Sequence, residues 1–258
     1  MSKTTLPNGL EALMTELSLA DVMRLIERTA RWVDPATFDL LPVWYPEFAR
    51  KVCFYKSNWS EPQMNTNRQT RQSVHKQEGN LNANKALTYA LGLRSKGREG
   101  WSCCHLWGVD DPLYQETNAV VQDPKFFSCV ANMVLLPTPL KAFTDTVPEV
   151  KAMLRICARN MYGWQCDHLS QAPANSKLDA WSDWDIYPRS WPKKEGEPEP
   201  LGVMEINDDI RAAANRRWQS IQKDLDFAGQ YYPKDEVRSV LAYWGLDPSK
   251  QLKDAHSC

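Results

Sequence analysis

Long hydrophobic runs are missing from this chain. No stretch approaches the roughly 18–20 consecutive apolar residues that a membrane-spanning helix needs. The opening residues, MSKTTLPNGLEALMTEL, also lack the basic-then-apolar pattern of a signal segment. The expectation is a cytoplasmic protein with no membrane partner. An excess of charge of one sign is missing too: 31 Lys and Arg stand against 32 Asp and Glu. The total therefore gives no sign of a polyanionic partner, and only the distribution along the chain is informative. The seven cysteines, Cys53, Cys103, Cys104, Cys129, Cys157, Cys166 and Cys258, form no C-x-x-C pair and keep no regular spacing. That argues against a disulfide framework or a four-cysteine zinc module and for reduced thiols. No internal repeat is visible. What the chain does have is 43% hydrophobic and 10% aromatic residues over 258 positions. This is enough for a real core, in one large domain or two small ones, and it excludes a mainly disordered chain.

Three segments follow from the pattern. Residues 1–98 read as an N-terminal helical part followed by a basic stretch. Ser18-Leu19-Ala20-Asp21 resembles a capping box, and Leu19, Val22, Leu25, Ile26 and Val33 recur at helical spacing until Asp34-Pro35. From Met64 to Arg98 the basic residues Arg68, Arg71, Lys76, Lys85, Arg94, Lys96 and Arg98 face the single acid Glu78 among many Asn and Gln residues. Guanidinium groups beside long amides suit contact with phosphates and base edges, although a solvated basic face has the same composition. Residues 193–258 begin with a charged, proline-rich spacer, Lys193 to Pro200. A five-turn helix marked by Ile206, Ile210, Ala214, Trp218, Ile221 and Leu225 comes next, and a last helix runs from about Asp235 to Gly245. These helices are expected to pack on the main body or to form an oligomer contact.

The middle segment, 99–192, carries the chemistry. Gly100 to Gly108 reads as a short strand with a central His105, and Phe126 to Leu136 as a second, buried strand that contains Asn132 and stops at Pro137. Turn-rich points at Asp110-Asp111-Pro112 and Asp123-Pro124 suit a long hairpin loop between them. A helix then takes in Val150, Leu154, Cys157 and Met161 up to Gly163, with Lys151, Arg155 and Arg159 spaced by four as a basic stripe. An aromatic-rich extension with Trp181, Trp184 and Trp191 follows, which could stack bases but suits core packing better.

Cys104-His105-Leu106-Trp107-Gly108 and Asn132-Met133-Val134-Leu135-Leu136-Pro137, in the order strand, loop, strand, helix, resemble the HNH nuclease family over residues 100 to 163. The fold class implied is α+β, a mainly helical protein with a central ββα-metal hairpin–helix unit. The function implied is a metal-dependent DNA endonuclease, in a context of restriction or phage defence that the family alone suggests. Phosphodiester hydrolysis needs a base for the attacking water and a cation for the developing charge, and a neutral imidazole can be that base near pH 7. By the resemblance, His105 is the base, Asn132 holds the hairpin or orients the ring, and a divalent ion, Mg²⁺ by expectation, sits beside them. Cys104 stands where family members often place an Asp or His ligand, and Lys141 falls near the third motif position. Asp145, one turn further on, could be the metal ligand instead, and Asp110 or Asp111 could reach in from the loop. Lys141, Lys151, Arg155 and Arg159, with Arg68, Arg71 and Lys76, would hold the DNA backbone. A homodimer is expected, because the duplex has two strands related by approximate two-fold symmetry.

Other readings of the same residues stay open. The hairpin could be a degenerate HNH fold that binds nucleic acid or a protein without cutting. Cys103 or Cys104 with a distant His would permit thiol chemistry. His168 with Cys104, Cys129 or Cys166 could hold a structural zinc, although ordinary buried thiols fit the irregular spacing better.

Overall fold

Side-chain caps and prolines set most element boundaries in this chain. The computed structural model describes residue 6 and residues 8–108 and 119–252. Helix α1 (Gly9–Met14) starts at Asn8, whose side chain accepts from Leu10 N at 2.8 Å. Helix α2 (Leu19–Thr29) carries the expected capping box: Ser18 Oγ accepts from Asp21 N at 3.1 Å, and Asp21 Oδ2 accepts from Ser18 N at 3.3 Å. It buries Val22, Met23 and Ile26 and ends four residues before Val33, because Trp32 and Val33 form strand β1 instead. Asp34-Pro35 both stops this stretch and starts α3 (Pro35–Leu40), with Asp34 as cap and proline at the first helical position.

Strands β2 (Met64–Thr66) and β3 (Ser73–His75) pair antiparallel as a ribbon exposed on both faces. The one acid of this region, Glu78, is buried and takes the amide of Asn82 at 3.2 Å and its side chain at 2.6 Å, which starts α4 (Leu81–Ala90). Strand β4 (Trp101–His105) follows, then α5 (Ala119–Gln122), α6 (Pro124–Phe127) and strand β5 (Met133–Pro137). The apolar run expected as one strand from Phe126 is thus divided. Asp123 caps a helix with Pro124 at its first position, Phe126 and Phe127 are helical, and Val130–Asn132 form a 3-10 turn before the strand begins.

Helices α7 (Lys141–Thr146) and α8 (Pro148–Tyr162) come next, the latter ending on Gly163 in the left-handed conformation. Helix α9 (Ala172–Asp179) precedes strand β6 (Val203–Met204), which pairs parallel with β1. Between them the expected extended spacer is a closed turn: Lys193 N donates to Glu197 Oε2 at 2.6 Å, and Asn160 Nδ2 donates to the Pro192 carbonyl at 3.0 Å. Helices α10 (Asp208–Phe227) and α11 (Lys234–Tyr243) are the last elements among the described residues.

The described architecture is α+β, with many helices and three two-stranded sheets. One cluster of buried side chains takes in residues from all three sequence segments. Trp32, Trp44, Trp107, Trp191 and Trp218 are its largest members. The C-terminal helices pack on the main body through Trp218, Ile221, Val237 and Leu241. Trp191 meets Trp32 edge to face with centroids 5.7 Å apart, so it belongs to the core. A buried ion pair ties α10 to the segment after α3: Arg217 Nη2 lies 2.5 Å from the Glu47 carboxylate, and its Nε donates to the Trp44 carbonyl at 2.6 Å. No helix among the described residues is long and apolar enough to cross a membrane.

Candidate functional site

The antiparallel pair β4–β5 brings the two signature residues together. Its register runs from Trp101 opposite Pro137 to His105 opposite Met133, so Asn132 lies just beyond the last pair, level with the chain leaving His105. Leu106 N donates to the Asn132 carbonyl at 2.9 Å and extends the ladder by one bond. The Asn132 side chain is fully buried and bonded to main chain on both sides: Oδ1 accepts from Trp107 N at 2.7 Å, and Nδ2 donates to the carbonyls of Trp107 and Phe126, each at 3.1 Å. An interior amide needs such partners, and three are present. Asn132 is therefore a clamp on the chain that leaves β4 and on the α6 segment that approaches β5.

His105 has 9% of its surface exposed. Its Nε2 is 2.9 Å from the Phe127 carbonyl, and its ring stacks on that of Phe127 with centroids 5.9 Å apart. A carbonyl can only accept, so Nε2 carries a proton and donates it to Phe127.

The helices behind the hairpin do not present the basic stripe expected from the spacing. Lys151 and Arg155 are only 3% and 4% exposed. Because the apolar face of α8 is wide, two of the three cations turn inward instead of toward solvent. Arg155 Nε donates to the Leu106 carbonyl at 2.7 Å, and its guanidinium lies over the Trp107 ring at 5.9 Å. The arginine thus supports the strand end next to His105. Arg159 holds Asp179 of α9 at 2.6 Å. Lys141 pairs with Asp145 one turn along α7, and Thr144 Oγ1 donates to the second oxygen of that carboxylate at 3.3 Å.

Between α7, α8 and α9 lies a cleft of about 240 Å³, lined by Asp145, Glu149, Lys151, Arg155, Lys177 and Trp181 among others. It gathers Asp145, Lys151 and Arg155 from the expected set; His105, Asn132 and Arg159 do not line it. Lys177 and Glu149 join from positions that carried no motif, and Trp181 from the aromatic-rich extension; only the packing of α9 on α8 shows their place. Arg68, Arg71 and Lys76 are elsewhere, on and beside the β2–β3 ribbon.

Among the described residues, no three His, Cys, Asp or Glu side chains converge as a metal-ligand set. Asp145 is engaged by Lys141, so the described residues do not fit the Mg²⁺ centre that the resemblance implies. Asp110 and Asp111 lie outside the described residues. Burial pushes the Cys103 thiol up to about 12 and the Cys104 thiol up to about 11. Neither is activated, since thiol chemistry requires the thiolate. Cys166 is raised to about 12, also by burial, and His168 Nδ1 meets Ser170 Oγ at 2.8 Å.

Comparison with protein-family models, with curated protein sequences and with solved structures finds no match to this chain.

Proposed function

We propose that this chain acts on DNA as a phosphodiester-hydrolysing endonuclease whose reactive unit is an HNH-like hairpin, with His105 as the base and Asn132 as the residue that positions it. The observation that carries this reading is the bond from His105 Nε2 to the Phe127 carbonyl at 2.9 Å, which fixes the imidazole at the end of β4 beside the segments that Asn132 clamps; in this proposal the ring accepts the proton of the attacking water at Nδ1. Asn132 holds Trp107 and Phe126, the segments on either side of that ring. Lys151 and Arg155 bring buried positive charge to the neighbouring cleft, where it would offset charge developing on a phosphate. With no fitting ligand set for a divalent ion among the described residues, the chemistry assigned to these residues is proton transfer at His105 Nδ1 and charge stabilisation. A homodimer is the proposed assembly, matching the pseudo-symmetry of the duplex.

The Lys141–Asp145 pair favours a second reading, because it occupies the carboxylate that a metal would require. In that reading the hairpin is a degenerate HNH fold that binds DNA without cutting it. A cleavage assay separates the two, with wild type and His105→Ala on duplex DNA in Mg²⁺, Mn²⁺ or EDTA. Cutting by the wild type that is lost in the variant is the expected result. Binding without cutting under every condition would establish the second reading, and neither binding nor cutting would overturn both.

A further inference from the structure

We propose that the β2–β3 ribbon is an arm that enters the major groove of duplex DNA; this rests on the DNA-directed reading above and names how the duplex is held. From Pro62 to Gln77 the chain has no acidic residue and no Phe, Tyr or Trp, while Arg68, Arg71 and Lys76 are basic. Gln63, Asn65, Asn67, Gln69, Gln72 and Gln77 add amide side chains. Every residue from Met64 to His75 is exposed, so neither face of the ribbon covers a core.

A two-stranded hairpin has little stability of its own, and this one is fastened at both ends. At the root, Phe54 N donates to the Lys76 carbonyl at 2.8 Å, Gln63 N to the Phe54 carbonyl at 2.7 Å and Lys76 N to the Gln63 carbonyl at 2.8 Å. At the tip, Asn67 Oδ1 accepts from Gln69 N at 2.8 Å and Thr70 N at 3.1 Å, while Asn67 N donates to the Gln72 carbonyl at 2.9 Å. The ribbon is therefore preformed, and its tip loop begins with Arg68 and ends with Arg71. Arg71 sits at φ 59°, a left-handed conformation where glycine or asparagine is the ordinary choice. Arg68 and Arg71 take part in no ion pair among the described residues. Lys56 and Glu61 at the root, by contrast, pair at 2.7 Å.

The major groove, about 12 Å wide, admits a two-stranded ribbon. Arginines there meet phosphates or guanine, amides meet adenine, and the exposed Met64 and Val74 offer apolar contact to thymine methyl groups. Single-strand binders rely on aromatic platforms, which this stretch lacks. Duplex DNA is thus the partner that the ribbon's charge and composition fit.

The test uses the full chain carrying Arg68→Ala with Arg71→Gly, and a second variant carrying Arg68→Ala alone. Fluorescence anisotropy would follow binding to a 20-base-pair duplex, to one strand of it and to phosphatidylserine vesicles, from about 50 to 200 mM salt, the range over which phosphate contacts weaken. The double variant should bind the duplex at least about tenfold more weakly, with a salt slope smaller by roughly 1.8, as loss of two phosphate contacts implies. Its melting temperature should be unchanged or raised, because glycine accepts the left-handed backbone at Arg71. Wild-type duplex affinity and slope in both variants would overturn the proposal. So would ribbon-dependent binding to the single strand or the vesicles in preference to the duplex. A wild-type chain that binds no duplex would instead remove the DNA-directed reading itself, and the arm with it.

Discussion

Replacing Asn132 with alanine removes a clamp and leaves the groups it held in the interior. Trp107 N–H loses its 2.7 Å acceptor, and the carbonyls of Trp107 and Phe126 lose their 3.1 Å donors. The Phe126 carbonyl keeps the amide of Cys129 at 3.3 Å, so its loss counts least. An unsatisfied buried donor costs about 1–3 kcal/mol and an under-satisfied carbonyl less, which gives a total of about 2–4 kcal/mol. For a chain of this size, that lowers the melting temperature by roughly 5–15 °C, measurable by calorimetry. Asn132→Asp sharpens the test. Its carboxylate can keep the Trp107 amide, but its other oxygen faces two carbonyl oxygens, which raises the folded-state pKa. A raised pKa contributes stability below the unfolded value and loses it as pH rises, so this variant should melt closer to wild type near about pH 4 than at about pH 7. An alanine variant melting within about 2 °C of wild type, less than even one orphaned group implies, would refute the clamp.

Two further predictions concern the buried groups. Arg217→Met alone strands the Glu47 carboxylate in the core and should cost about 3–5 kcal/mol in urea unfolding, whereas Glu47→Leu with Arg217→Met should recover much of it. A double variant no more stable than the single one would contradict this. The Cys103 and Cys104 thiols, at about 12 and about 11, contribute stability that is complete below the ordinary thiol pKa and is lost as pH rises toward those values. At pH 8 about one Cys104 in a thousand is thiolate, so iodoacetamide should leave both residues unmodified in the folded chain, as read by mass spectrometry; rapid adducts at either would contradict their burial.

Local signals were legible where the chain's own backbone answers them. The capping box at Ser18, the apolar period that ends at Gly163 and the spacing from Ile210 to Leu225 each specify an element through neighbours within a few residues, whereas Ile206, expected in that last helix, precedes its Asn207 cap. The antiparallel pairing of the His105 strand with the strand after Asn132 was also legible. Its start was misplaced, because Asp123-Pro124 nucleates a helix that outweighs the apolar run after it. The basic stripe failed for a different reason: a period of four places residues on one face but does not say whether that face is inside. Arg155 points inward because the Leu106 carbonyl and the Trp107 ring, nearly fifty positions earlier in the chain, receive it. The Glu47–Arg217 pair joins residues 170 positions apart, and no spacing rule reaches that far. The cleft is assembled the same way, by α9 folding onto α8.

The most direct test of the central claim, that His105 at the end of the hairpin is the base, is the single-turnover cleavage rate of duplex DNA by wild type and His105→Ala at matched DNA occupancy. Loss of a general base should slow cleavage by about 10²- to 10⁴-fold while the affinity for the duplex stays the same. Cleavage by His105→Ala at the wild-type rate would contradict the assignment.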